Sequence, residues 1–265
     1  MEGGARKLSK IKIVSGWSAP GGSTIHHINL TNLLNHVGYD CTFYGPHPWH
    51  VDKCKADNIN AYVPDSSDTL ITHFCVLGED VPARKRILSL HETNLFKLDK
   101  KKTEGIDVIH YVSEFQKEWH GYNKIPGVVI PPIVEQFKWQ DPEVGMAGVI
   151  GSIDSHKQTH LSIEAAKEAG FRHVLLFGQV TDLKYFNTYV MPHFESGFAM
   201  MQNHCDDKEE MYSMVSAVFH HSKRETFGLV EAECKLNGIP FYGHENDPQV
   251  LEVQEILEKW QSVLA

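Results

Sequence analysis

The sequence contains no CxxC pair, no GxGxxG or Walker-type phosphate loop and no long apolar run, and each absence removes a class of protein. No segment approaches the ~18 apolar residues needed to span a bilayer. The longest candidate, Val128–Val134, is interrupted by Pro131 and Pro132. The N-terminal MEGGARKLSK is basic but has no apolar stretch of signal-peptide type behind it. The five cysteines, at positions 41, 54, 75, 205 and 234, are odd in number and unclustered, which fits reduced thiols better than a disulfide framework. A soluble, cytoplasmic protein is expected, and Asn29-Leu30-Thr31 is then a chance sequon. Histidine is abundant, with adjacent pairs at His26–His27 and His220–His221. Neighbouring residues on a helix or strand point apart, so no metal site is expected.

A length of 265 residues accommodates one large domain or two smaller ones, and 42% hydrophobic with 22% charged residues is ordinary globular composition. The net charge of −9 is uneven. Residues 1–132 carry 15 basic and 14 acidic side chains, whereas residues 133–265 carry 10 and 20, which suggests two domains with different partners.

Short β-rich runs alternate with helical stretches in both halves. Strands are predicted at Lys10–Val14, Cys41–Tyr44, Thr69–Phe74, Arg86–Ser89, Asp107–Val112 and Val128–Ile130, with helices at Thr24–Val37 and Glu114–Tyr122. Ser23 or Thr24 is the expected cap of the first helix. The second half repeats the pattern, with strands at Ala147–Ile153, His173–Phe177, Gly197–Met201, Ala217–His220 and Ile239–Tyr242. Its helices are predicted at Lys157–Ala169, Lys208–Val215, Phe227–Asn237 and Pro248–Ser262. Such alternation predicts an α/β fold with parallel sheets, divided near Pro131-Pro132 into domains 1–132 and 133–265.

The most informative segment runs from His220 to Gly238. A strand enters a turn carrying Glu225 and opens a helix at Phe227-Gly228-Leu229. Unpaired amides and the helix dipole favour an anion there, most naturally a phosphate. Glu233 falls near the inward face of that helix, where a carboxylate needs hydrogen-bond partners that ligand hydroxyls would supply. Glu231 is expected outside, paired with Lys235.

Ser222-x-x-Glu225-Thr226-Phe227-Gly228-Leu229-x-x-x-Glu233, followed by Gly238-Ile239-Pro240, resembles the E-x7-E signature of retaining nucleotide-sugar glycosyltransferases of GT-B fold (group 1, family 4-like). The resemblance implies two Rossmann-like domains whose parallel sheets face a central cleft. It implies that Glu225 contacts the donor sugar, that Thr226 to Leu229 hold the diphosphate and that Glu233 holds the ribose.

Other segments resemble that family in order and spacing. Gly16-Trp17-Ser18-Ala19-Pro20-Gly21-Gly22-Ser23 is similar to its Gly-rich loop facing the donor phosphates. His91-Glu92 resembles its cleft pair near the acceptor. Tyr111–Gln116 and Val129–Pro132 resemble its stretches before the interdomain linker. Val149–Lys157 is similar to the strand-loop that supplies phosphate ligands, with Lys157 as the usual lysine and Ser152 where an arginine is customary. Leu175–Gly178 resembles the next donor-domain strand, and Met200–Asn203 falls where the family holds the nucleotide base.

The resemblance therefore implies a compact, metal-independent hexosyltransferase-like enzyme without a bound cofactor. Its donor is a nucleotide-diphosphate sugar, with Glu225, His91 and Lys157 as catalytic candidates. Gly21, Gly22, Ser23, Ser152, Thr226 to Leu229 and Glu233 are the binding candidates. The acceptor is a carbohydrate or other hydroxyl compound. Basic clusters Arg84–Arg86 and Lys97–Lys102 on either side of His91, with Leu95 and Phe96 between them, favour an anionic acceptor. Nucleic acid ranks lower because the chain is acidic overall. The alternatives are a non-catalytic sugar-nucleotide or carbohydrate-binding relic of the fold, and an epimerase-like enzyme built on it.

Overall fold

The computed structural model describes residues 10–75, 80–93, 98–142, 145–202 and 205–265. The chain forms two compact units, residues 1–133 with 251–265 and residues 134–250.

The first unit contains strands β1 (Lys10–Ser15), β2 (Asp40–Gly45), β3 (Ala56–Asn58), β4 (Thr69–His73), β5 (Lys85–Leu90), β6 (Val108–Tyr111) and β7 (Gly127–Val129). All pairings are parallel, in the order β3-β2-β1-β4-β5-β6-β7. Helices α1 (Gly22–His36) and α2 (Glu114–His120) follow β1 and β6. Strand β4 is buried along its whole length, as an interior parallel strand covered on both faces must be. Strand order reverses between β1 and β4, and open α/β sheets offer their ligand crevice at the carboxyl ends of such a pair.

The second unit has β8 (Met146–Ile150), α3 (Thr159–Glu168), β9 (His173–Phe177), β10 (Ala199–Met201), β11 (Ala217–His220) and β12 (Phe241–Gly243). Its helices after β9 are α4 (Leu183–Tyr185) and α5 (Met191–Glu195), joined by a π-helical turn at Phe186–Val190. Helices α6 (Lys208–Ser213) and α7 (Leu229–Asn237) follow β10 and β11. The parallel sheet has the order β10-β9-β8-β11-β12, so its reversal lies between β8 and β11.

Three expectations are corrected. Helix α1 begins at Gly22 rather than Thr24, with Gly21 before it and no side-chain cap; the Thr24 hydroxyl instead donates to the Ala19 carbonyl at 2.8 Å. The last helix, α8 (Val253–Leu264), was expected in a second domain running to residue 265, yet it packs on the first unit's sheet. Its stripe of Ile256, Trp260, Val263 and Leu264 shares a core with Ile11, Ile13, Phe43, Ile71 and Ile87. The basic residues Arg84–Arg86 lie at the amino end of β5, about 20 Å of strand from His91 beyond its carboxyl end. The Arg84 guanidinium donates to Thr69 Oγ1 and to the Leu264 carbonyl, and that of Arg86 donates to the Val81 carbonyl. These arginines hold the fold together, so they do not flank an acceptor at His91. Lys100–Lys102 sit in the turn leading to the amino end of β6, while Leu95, Phe96, Lys97 and Asn203 lie outside the described residues.

Among the described residues, no helix is long and apolar enough to cross a membrane.

Candidate functional site

In the second unit, two loops leave the carboxyl ends of the strands flanking the reversal. The loop after β8 is organised by Asp154. Its carboxylate accepts from the backbone amides of His156 and Lys157 at 2.9 and 2.8 Å, and from the hydroxyls of Ser152 and Thr181 at 2.7 and 3.0 Å. Burial raises the Asp154 pKa, but these hydrogen bonds outweigh it and hold the group below its ordinary value. Gln158 follows with φ of 49°, a left-handed conformation that a non-glycine residue rarely adopts.

The loop after β11 is bound to this one. The Lys223 amide donates to the His156 carbonyl at 2.9 Å, and His156 Nε2 donates to the Arg224 carbonyl at 2.9 Å. The sequence candidates Lys157 and Glu225 are thereby brought together, with Lys157 Nζ 2.5 Å from Glu225 Oε1. His220 Nε2 lies 2.8 Å from the same oxygen. Burial pushes the Glu225 carboxyl up, yet the His220 hydrogen bond and the Lys157 charge hold it far below the usual carboxylate range. His220, the last residue of β11, carried no signal beyond its place before the motif.

Gly228, with φ of 85°, precedes α7 without a side-chain cap. It lets the chain turn from the buried Phe227 into the helix, whose first amides have no intrahelical acceptor. Glu233 is buried as expected, but protein groups engage its carboxylate: Lys208 Nζ pairs with Oε1, and the Tyr212 hydroxyl donates to Oε2 at 2.8 Å. Glu231 is buried as well, correcting its expected outward position. The segment after β12 covers it, and the Asn246 amide donates to its Oε2 at 2.8 Å. Its pairing with Lys235, at 2.9 Å, is present. Ser152, expected among the ligand contacts, points its hydroxyl at Asp154.

In the first unit, the loop after β1 carries Gly21, Gly22 and Ser23 into the first turn of α1. Gly16 opens this loop where a Cβ would come within 2.7 Å of the Phe74 carbonyl oxygen, so the close approach of the loops after β1 and β4 requires glycine. His91 does not stand alone. Its ring lies 4.7, 4.9 and 5.0 Å, between centroids, from those of His26, His27 and His73, and 6.0 Å from that of His110. Burial, followed by mutual crowding, holds the imidazoles of His26, His27 and His91 well below their ordinary pKa, and that of His110 is lowered to about 4. Glu92, beside His91, faces His73 Nε2 at 3.3 Å. His26 and His27, adjacent on α1, are both buried. Adjacent helical residues differ by only about 100° in direction, and α1 packs deeply enough for both rings to be buried.

No protein-family model and no curated protein sequence matches the chain. Among solved structures, it is similar to HepE of Anabaena in complex with UDP and glucose, at 12% identity, covering 89% of this chain and 80% of that one, with a TM-score of 0.68. It is similar to WaaG, a glycosyltransferase involved in lipopolysaccharide biosynthesis, at 10% identity with coverages of 96% and 90% and a TM-score of 0.60. AviGT4, a glycosyltransferase involved in avilamycin A biosynthesis, matches at 17% identity, 88% and 78% coverage and a TM-score of 0.58. The α/β fold with two parallel sheets is thus that of GT-B glycosyltransferases.

Proposed function

We propose that the chain is a retaining glycosyltransferase that takes a sugar from a nucleoside-diphosphate donor to a hydroxyl acceptor. The observation that carries this reading is the meeting of Lys157, Glu225 and His220 at the strand-order reversal of the second unit, beside the uncapped start of α7. The presence of UDP with the similar HepE makes UDP-sugars the donors to test first.

Lys157 and the amides of Phe227, Gly228 and Leu229 hold the diphosphate and stabilise the charge that grows on it as the glycosidic bond breaks. Glu225, kept ionised by Lys157 and His220, accepts hydrogen bonds from sugar hydroxyls. A carboxylate so paired is a poor nucleophile, which favours front-face substitution in which the departing phosphate takes the acceptor proton. Glu233 retains lone pairs beyond those used by Lys208 and Tyr212, and these suit ribose hydroxyls. The cations at the diphosphate come from the protein, so turnover should be the same with or without Mg²⁺ or Mn²⁺.

The second reading, donor binding without transfer, draws on the engagement of Ser152 by Asp154 where the family places an arginine. Incubation with UDP-sugars separates the two. Release of UDP, with the donor's anomeric configuration kept in the transferred sugar by NMR, supports the enzyme. UDP-sugar binding with no release of UDP under any acceptor supports the relic.

A further inference from the structure

We propose that His26, His91 and His110 form a site for a zinc-class transition-metal ion at the carboxyl edge of the first unit's sheet. The inference stands apart from the donor-site reading, because every residue in it belongs to the first unit.

Topology assembles the three. His26 lies in the first half of α1, His91 directly follows β5, and His110 lies in β6, the neighbour of β5. One ring nitrogen from each falls within 4.8 Å of the others, the one such group among the described residues. Tetrahedral zinc with Zn–N bonds of about 2.0–2.1 Å separates its ligand nitrogens by about 3.3 Å, so ring rotations closing about 1.5 Å or less complete the set.

Hydrogen bonding supplies a second, independent argument. His26 is 3% exposed, and neither of its ring nitrogens has a hydrogen-bond partner. A neutral imidazole always carries one N–H donor and one lone pair, and leaving both unmet in the interior is costly. A metal would take the lone pair. His110 already has the outer-sphere bond typical of a metal-ligating imidazole: Nε2–H donates to the Ile130 carbonyl at 2.8 Å, which leaves the lone pair on Nδ1. The Ser89 hydroxyl now donates to that lone pair at 2.8 Å and accepts from His91 Nε2–H at 3.1 Å. Turning this one hydroxyl frees the His110 lone pair, and the same network leaves the lone pair of His91 on Nδ1.

Donor chemistry selects the metal. Three neutral imidazoles, with no thiolate or carboxylate among them, suit Zn²⁺, Co²⁺, Ni²⁺ or Cu²⁺ rather than Mg²⁺ or Ca²⁺. Three protein ligands also leave a coordination position for water or an anion. A bound ion would tie α1 to β5 and β6, so loading stabilises the first unit.

The test uses tag-free chain stripped of metal by chelation and dialysis. Zn²⁺ is titrated in competition with a chromophoric chelator, and Co²⁺ is followed by its visible d–d absorption. The expected result is one equivalent bound, a four- or five-coordinate Co²⁺ spectrum and a rise in Tm. Affinity should fall at least tenfold in His26→Ala and in His91→Ala, and stay unchanged in His244→Ala on the exposed surface of the second unit. X-ray absorption of the zinc-loaded wild type, expected to show a three-imidazole shell, decides the matter even if a variant fails to fold. The proposal is overturned if stripped wild type binds no Zn²⁺ at tens of micromolar. Equal binding by natively folded His26→Ala and His91→Ala, or a zinc shell with fewer than two imidazoles, would also overturn it.

Discussion

Glu225 is a half-enclosed carboxylate that stays charged because two cationic or hydrogen-donating groups converge on one of its oxygens. Its native pKa lies below the unfolded value of about 4.3, so its contribution to stability is complete above that pH. The contribution is lost as pH falls from there towards the depressed native value. Chemical denaturation of wild type and Glu225→Gln should therefore show a stability gap that is constant at neutral pH and narrows below about pH 4. A gap independent of pH would mean that the Lys157 and His220 contacts do not charge-stabilise the group in solution. Glu233 is the more demanding residue, because its carboxylate satisfies Lys208 and Tyr212 at the same time as it is assigned to ribose. Glu233→Gln should weaken nucleoside-diphosphate binding by about tenfold, or about 1.4 kcal/mol. A drop in Tm with unchanged affinity would make it a packing pair and nothing more. At this scale the sequence revealed which residues carry charge in the motif, but not their partners. Lys208, Tyr212 and His220 reach the glutamates through the fold, and no local spacing announces them.

Among the elements, the strands were the most legible, because short, mainly apolar runs of strand length alternating with helical stretches leave few alternatives. His173–Phe177 and Ala217–His220 have the predicted bounds. Strand β3 was missed because Ala56-Asp57-Asn58 is a short, polar edge strand whose identity depends on pairing with β2. The helical stretch 183–195 was missed because Pro192 and the π-helical turn at Phe186–Val190 break its periodicity. The last helix was expected at Pro248–Ser262 and lies at Val253–Leu264, but the face it covers is not written in its own sequence. Trp260, fully buried between α8 and the first unit's sheet, decides its destination. Trp260→Ala should cost about 3–5 kcal/mol, read from urea denaturation followed by circular dichroism. A cost below about 1 kcal/mol would show that α8 is only loosely attached.

For the whole molecule, the return of residues 251–265 to the first unit makes that unit discontinuous in sequence, while residues 134–250 form a continuous one. Fragment 134–250 should therefore fold alone with native-like circular dichroism, whereas fragment 1–133 should need residues 251–265, supplied in trans as a peptide, to reach its native signal. Cooperative folding of 1–133 without that peptide would contradict the packing of α8. The proposed role of the loops after β8 and β11 is to hold a nucleotide-sugar diphosphate through Lys157 and the start of α7. Its most direct test is calorimetric titration of UDP into wild type and into natively folded Lys157→Ala, without divalent metal. Wild type should bind saturably and one-to-one, and the variant should lose at least tenfold in affinity. Failure of wild type to bind any nucleoside diphosphate, or equal affinity in the two proteins, would contradict it.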